Sequence, residues 1–204
     1  MSGAADLCCG YAEEADWPAV VSRRLFEEVA GVGFGGRTVL EIGCGYGRIL
    51  VGALVGGARA ATGVELDAEA VVEAGERASR AGQRDRCTFV VGDGATIPLA
   101  PHDVVILDRV ICCYRDADRL VERSVAAAGA AYAFSVPESR GLRGVWNRLT
   151  YGFEGAWDRL RRNPRTWVHD VRRIDRCLAR AGFALAACGR EGKWYFALYR
   201  RHLD

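Results

Sequence analysis

Val39-Leu40-Glu41-Ile42-Gly43-Cys44-Gly45-Tyr46-Gly47 is an apolar run that ends in three glycines at alternate positions. A helical pattern in Ile49, Leu50, Ala53 and Leu54 follows it and stops at Gly56-Gly57. Strand, tight turn and helix in that order make the first part of a βαβ unit. Glycines at such a turn let a ligand approach the backbone and supply φ > 0 where the chain needs it. The helix start then offers unpaired N–H groups to an anion.

Working outward from this elbow, residues 38–42 form the first strand and 60–66 the second. Asp67 is the expected N-cap of a helix over 68–81 that ends at Gly82. Further strands are expected over 87–91, 103–107 and 131–136, the last stopped by Pro137, with a helix over 116–128 between the fourth and the fifth. A helix over 170–181 follows, with Val171, Ile174, Leu178 and Ala181 on one face. Residues 183–188 and 194–199 then read as a hairpin about the loop 189–193. The whole is an α/β class chain: a seven-stranded, mostly parallel sheet with helices on both faces. Its C-terminal β-hairpin carries an antiparallel strand, inserted at the sheet edge.

At 204 residues the chain is expected to be one domain. The formal net charge of +2 gives no field that points to nucleic acid. No apolar run reaches the ~20 residues of a membrane span. Residues 1–16 hold Asp6, Glu13, Glu14 and Asp16 without a basic residue, so they lack the start of a secretory signal. A cytoplasmic protein follows, its eight cysteines reduced. Cys8-Cys9 and Cys112-Cys113 are adjacent pairs, and no Cys-x-x-Cys spacing occurs, so no metal site is expected. Lys193 is the single lysine among many arginines, alanines and glycines, which reads as the codon bias of a GC-rich bacterial genome.

Three acids end three consecutive strands. Glu41 lies inside the first strand end, where a carboxylate is costly unless a cation or donors satisfy it; the α-ammonium of an amino-acid-like ligand would do so. Glu65 ends the second strand at the distance from the glycine turn of a ribose-hydroxyl acceptor. Asp93, in Gly92-Asp93-Gly94, is placed to accept from an exocyclic amine. A nicotinamide dinucleotide fits less well: the spacing is Gly-x-Gly-x-Gly rather than Gly-x-Gly-x-x-Gly, and Glu41 would face a pyrophosphate.

With these residues the chain resembles the class I S-adenosylmethionine (SAM)-dependent methyltransferases. Glu41-x-Gly43-x-Gly45-x-Gly47 is similar to that family's first motif, Glu65 to its ribose-binding acid, and Gly92-Asp93-Gly94 to its adenine-binding turn. Asp103-Val-Val-Ile-Leu-Asp108-Arg109 resembles its fourth motif, whose strand end faces the transferable methyl. The likeness covers residues 37–136 and the terminal hairpin in outline. Within the family, Asp108-Arg109-Val110-Ile111 running into Tyr114, and Val168-His169, resemble magnesium-protoporphyrin O-methyltransferase-like proteins. The resemblance implies a Rossmann-like sheet and SAM as cofactor, with S-adenosylhomocysteine (SAH) as product. Glu41, Gly43, Cys44, Gly45, Gly47, Glu65, Leu66, Gly92, Asp93, Gly94 and Asp108 would be the cofactor-binding residues. It also implies methyl transfer to a small-molecule acceptor, most simply a carboxylate or hydroxyl oxygen of a metabolite or natural product. A methyltransferase-fold enzyme that uses SAM for another reaction, or an inactive SAM-binding module, are the alternatives.

A carboxylate or thiolate acceptor needs no base at neutral pH, whereas a hydroxyl usually does. His169, Asp108 and Tyr114 are the catalytic candidates, and His102 sits at the wrong strand end. His169 has a pKa suited to the task, or it merely caps and packs. Asp108 and Arg109 are site groups, or an ion pair that fixes the loop. Cys112-Cys113 binds a soft ion or is redox-active, or is simply buried. Residues 138–168 hold Trp146, Leu149, Phe153, Trp157 and Leu160 at helical spacing among arginines. They form an amphipathic helix packed on the domain by its aromatic stripe, or a helical cap over a planar acidic substrate. Residues 1–30, with Tyr11 and Trp17, are the candidate second half of that lid. Tyr11, Trp17, Arg109, Tyr114 and Trp146 are thus the expected substrate contacts of a monomer or homodimer.

Overall fold

The computed structural model describes Trp17, residues 19–161 and residues 166–201, with the backbone alone over 152–161. The chain enters through α1 (Val20–Val32) and alternates β1 (Thr38–Ile42), α2 (Arg48–Val55), β2 (Ala60–Glu65), α3 (Ala68–Arg80), β3 (Cys87–Val91) and β4 (His102–Asp108). A 3-10 turn at Ile111–Cys113 precedes α4 (Asp118–Ala126), β5 (Ala128–Pro137), α5 (Gly141–Arg161) and α6 (Val171–Arg180). The hairpin β6 (Phe183–Glu191) and β7 (Trp194–Arg201) ends the described chain.

The seven strands run in the order β3-β2-β1-β4-β5-β7-β6. Strands β1 to β5 pair in parallel, and β7 pairs antiparallel with both β5 and β6. Central parallel strands covered on both faces should read as continuous apolar runs, and they do. In β1 Val39 joins one core and Leu40 and Ile42 the other; in β4 Val104 and Ile106 alternate with Val105 and Leu107. The first core takes α1 and α2 through Leu25, Phe26, Leu50 and Leu54. The second takes α4 and α6 through Leu120, Val125, Ile174 and Leu178. The Asp67 side chain accepts from Glu69 N–H at 2.9 Å, the expected cap of α3.

Several expected boundaries move. β5 runs on to Pro137, which pairs with Trp194 as the last rung. The hairpin loop shrinks to Gly192-Lys193, because Glu191 pairs directly with Trp194 and Gly192 takes φ 57. The antiparallel strand lies one place inside the edge, since β7 inserts between β5 and β6. The expected N-terminal lid is corrected over its described part: α1 buries Val21, Leu25, Phe26 and Val29 and is a fixed wall of the core. Tyr11 and Cys8-Cys9 lie outside the described residues. No described helix is long and apolar enough to cross a membrane.

Candidate functional site

Strand order reverses between β1 and β4, and ligands of open α/β sheets bind beyond the carboxyl ends of the strands at such a point. A cleft of about 450 Å3 opens there, within the range of ligand sites. Gly43, Glu65, Leu66, Gly92, Gly94, Asp108, Arg109, Cys112, Cys113 and Tyr114 are among its walls, together with Val110, Thr166 and Trp194.

The glycine elbow turns under positive φ three times, at Gly43 (71°), Gly45 (47°) and Gly47 (71°). The three do different jobs. A Cβ on Gly43 would lie 2.6 Å from Val110 Cγ2, and one on Gly47 3.1 Å from the Phe89 ring, so both sit where the backbone packs closely. A Cβ on Gly45 would meet nothing within 4 Å, so that face is open for a ligand. Cys44 is buried beneath the turn, and burial pushes its thiol well above the usual range.

Glu41 is 3% exposed, and its Oε2 has no hydrogen-bond partner. Burial, then the charges of Asp108 and Glu65, raise its carboxyl well above the ordinary carboxylate range. A buried, underpaired acid beside two others calls for a cation. Glu65 is organised by the backbone: Gly45 N–H donates to Oε2 at 2.9 Å, and Leu66 and Asp67 N–H donate to Oε1 at 2.7 and 3.2 Å. A carboxylate has about four acceptor positions, which leaves room for a hydroxyl donor. Asp93 Oδ1 accepts from Ala95 N–H at 2.8 Å and from Tyr114 Oη–H at 2.5 Å. The donor set therefore fits SAM: a buried anion for the ammonium, a preset carboxylate for the ribose, and Asp93 for the adenine amine.

On the far side of the cleft the candidate bases are already engaged. Asp108 Oδ2 accepts from Ser22 Oγ–H and Oδ1 from Ser135 Oγ–H, both at 2.5 Å. Burial raises its carboxyl, and the two hydroxyls and the Arg109 charge offset part of that rise. Burial and the Asp93 carboxylate push the Tyr114 phenol upward. The His169 ring meets the Tyr114 carbonyl at 2.8 Å through Nε2, which must therefore carry the proton. His169 lines a separate, more polar cavity of about 610 Å3 beside Asp170 and Arg173, between α4 and α6.

Arg109 stands at φ 55, unusual for a residue with a side chain. Its N–H donates to Ser135 Oγ at 2.9 Å, its Nε lies 3.8 Å from Asp108 Oδ2, and its guanidinium sits 5.9 Å over the Trp194 ring. The Cys112 and Cys113 thiols both donate to the Arg109 carbonyl, at 3.3 and 3.6 Å. Cys112 is buried and Cys113 exposed, and the neighbouring S–H lowers the Cys113 thiol.

Two expected substrate contacts lie elsewhere. Trp17 packs on Phe26 with ring centroids 5.3 Å apart, under the Arg48 guanidinium at 5.5 Å, in the α1–α2 core. Trp146 is 67% exposed on the outer face of α5 and does not line the cleft. The expected packing of the stripe is reversed there: Gly144, Asn147 and Tyr151 are buried while Trp146 and Leu149 face solvent.

Residues 39–128 match a family described as Methyltransferase domain. This segment is therefore similar to methyltransferase domains. The structure resembles magnesium protoporphyrin IX methyltransferase from Synechocystis PCC 6803 with bound SAH, at a TM-score of 0.70 and 21% identity over 89% of this chain and 82% of that one. It is also similar to the (4+2)-cyclase SpnF, at a TM-score of 0.66 and 15% identity, covering 89% and 82% of the two chains. At these identities the likeness shows a shared fold. In sequence, a ribosomal protein L11 methyltransferase of Actinobacillus succinogenes is 34% identical over 80 residues, 39% of this chain and 27% of that protein. The chain thus spans about a quarter of the length of the curated relatives it matches.

Sequence reasoning missed several residues that shape the cleft. Ser22 and Ser135 hold Asp108 from 86 and 27 residues away. Their only local signal is a hydroxyl amid apolar neighbours. Val110 and Trp194 enter through the packing of the elbow and the hairpin, which no spacing announces.

Proposed function

We propose that this protein binds SAM along the carboxyl ends of β1, β2 and β3 and methylates a carboxylate oxygen of a small acidic molecule. The observation that carries the cofactor half is Glu41, buried with an unpartnered oxygen at the root of a glycine elbow whose open side would accept a ligand. Glu41 would hold the ammonium, Glu65 the ribose hydroxyls, and Asp93 the adenine amine. When bound, SAM supplies a methyl group already activated by its sulfonium.

The acceptor half follows from what the cleft lacks. Each Asp108 oxygen accepts from a serine hydroxyl, the Tyr114 hydroxyl is given to Asp93, and His169 lines a separate cavity. With Glu41, Glu65 and Asp93 assigned to SAM, none of the three candidate bases presents an unengaged group to the cleft. An acceptor that is ionised beforehand needs none: a carboxylate oxygen takes the methyl group, the sulfur keeps the bonding pair, and an ester and SAH result. Arg109, at the strand end that faces the methyl group in the resembling family, is placed to steer and orient that carboxylate.

Mixing the protein with SAM in a calorimeter tests the cofactor half, and absence of heat and of any thermal shift refutes it. For the acceptor, methyl-labelled SAM is given to a small-molecule extract and to a protein extract. Label released as methanol by mild base from the small-molecule fraction is the expected result. A protein acceptor is the second reading, favoured by the match to ribosomal protein L11 methyltransferases, and label confined to protein would establish it. SAM bound without any SAH formed would instead favour a non-methylating use of the fold.

A further inference from the structure

α5 is amphipathic the wrong way round. Its inner face carries Gly144, Asn147 and Tyr151: Gly144 lies against the Ser139 backbone, and Asn147 Nδ2 donates to the carbonyls of Glu138 and Lys193, each at 2.9 Å. Its outer face carries Leu142 (88% exposed), Val145 (53%), Trp146 (67%) and Leu149 (59%). These sit at i, i+3, i+4 and i+7, one continuous stripe on one side of the helix. A surface helix normally turns such a stripe to the core, whereas among the described residues nothing covers this one, the pattern of an interaction surface.

The exposed charges beside the stripe on α5 and the hairpin tip are basic, the nearby acids Glu138 and Glu191 being held in ion pairs. Arg143 and Arg148 are exposed on the same helix, while Arg140, which precedes it, is paired with Glu138. Lys193, on the adjoining hairpin tip, is exposed with its Nζ 4.3 Å from the Tyr151 ring centroid. In sequence, residues 139–165 carry seven arginines against two acids, in a chain whose net charge is +2. The overall charge therefore conceals a local concentration. A second copy across a twofold axis would bring the same arginines to the same patch, which is unfavourable. An anionic bilayer supplies the complement without a matching shape: Trp and Leu enter the headgroup boundary while arginines reach the phosphates.

We propose that the Leu142–Leu149 face of α5 docks on the surface of an anionic lipid membrane. Joined to the proposed acceptor chemistry, on which this part alone rests, it assigns the substrate to acidic amphiphiles that reside in the bilayer. The geometry agrees, because α5 follows directly on the carboxyl end of β5 and is tied to the turn before Trp194, whose ring lines the cleft.

The test is co-sedimentation of the full chain with vesicles of phosphatidylglycerol and phosphatidylcholine, and with phosphatidylcholine alone. Binding is expected to the anionic vesicles and to fall steeply as salt screens the arginines. L142Q/L149Q, at exposed positions, should bind them at least about tenfold more weakly, and R143Q/R148Q should lose the preference for anionic lipid. Both variants should keep the melting temperature and the SAM affinity of the parent, so loss of docking is distinguishable from failure of the methyltransferase reading. The proposal is overturned if the parent does not sediment with anionic vesicles, or if the variants sediment equally well. It is also overturned if sedimentation velocity shows a dimer that L142Q/L149Q converts to monomer.

Discussion

Replacing Glu41 by Gln separates an acid held ready for a cationic ligand from one that only fills space. The Glu41 carboxyl is 3% exposed, one oxygen has no partner, and burial followed by the Asp108 and Glu65 charges raises it well above the ordinary carboxylate range. A group raised in the folded state contributes stability that is complete below the unfolded pKa and is lost as pH rises through the folded value. The ligand-free protein thus loses stability through Glu41 as the solution becomes more basic. E41Q keeps the shape without the charge and removes that dependence. In scanning fluorimetry without ligand it should melt at or above the parent, by a margin that widens from about pH 6 to about pH 9. Each 1 kcal/mol relieved is worth roughly 3 °C in a domain of this size. Toward SAM the same change acts the other way. Losing one partner of a buried, hydrogen-bonded charge pair costs about 2–5 kcal/mol, and the remaining amide oxygen recovers part. Calorimetry should find SAM bound at least about thirtyfold more weakly, equivalent to about 2 kcal/mol. Binding by the parent should also release protons, because the ammonium favours the ionised carboxylate; binding by E41Q should not. If E41Q holds SAM within about threefold of the parent, with the same proton release, Glu41 is not the ammonium anchor and the argument from its burial fails.

The glycines of the elbow should separate by assay. G43A forces a methyl into Val110 at φ 71, and its expected cost of about 1–3 kcal/mol appears as a lower melting temperature that V110A partly restores. G45A meets no neighbour, costs only the roughly 1–2 kcal/mol of a left-handed residue, and shows its main effect as weakened SAM binding in calorimetry. S22A and S135A each remove a hydroxyl from buried Asp108, for an expected loss of about 1.5–3 kcal/mol in denaturant unfolding; the double variant should fall short of the sum, since both act on one carboxylate. H169A, which loses only the bond to the Tyr114 carbonyl, should lower stability by about 1 kcal/mol rather than remove an inflection from the pH–rate profile. A lost inflection in the imidazole range would reinstate His169 as the base.

The cofactor half of the site was legible because it is built locally. Glycine spacing, the strand it ends and the acids that close successive strands all lie within short windows, and the two-sided burial of β1 and β4 follows from the same apolar runs. The acceptor half was not, because it is assembled at long range. Nothing near Asp108 in sequence announces that Ser22 and Ser135 will occupy both of its oxygens, or that Tyr114 will bind Asp93 instead of a substrate. The hairpin was recognised, yet the insertion of β7 between β5 and β6 depends on pairing across the sheet, which strand patterns do not encode.

α5 shows most directly where pattern reading runs out. Trp146 and Leu149 at helical spacing announce a helix with an apolar side, and that much holds. Which side meets the protein is decided instead by a small residue and an amide: Gly144 permits close approach to Ser139, and Asn147 donates to the Glu138 carbonyl and to the Lys193 carbonyl, which also accepts from Glu138 N–H. Two satisfied backbone acceptors anchor the polar side inward, so the hydrophobic stripe is left to whatever the protein meets. A helix whose stripe and anchor lie on opposite sides does not need to bury its apolar residues, and the proposed docking surface would account for their presence. The residues that bind the methyl donor and those that would bring the acceptor to it are thus specified separately: the first by a short motif, the second by an outward-facing helix.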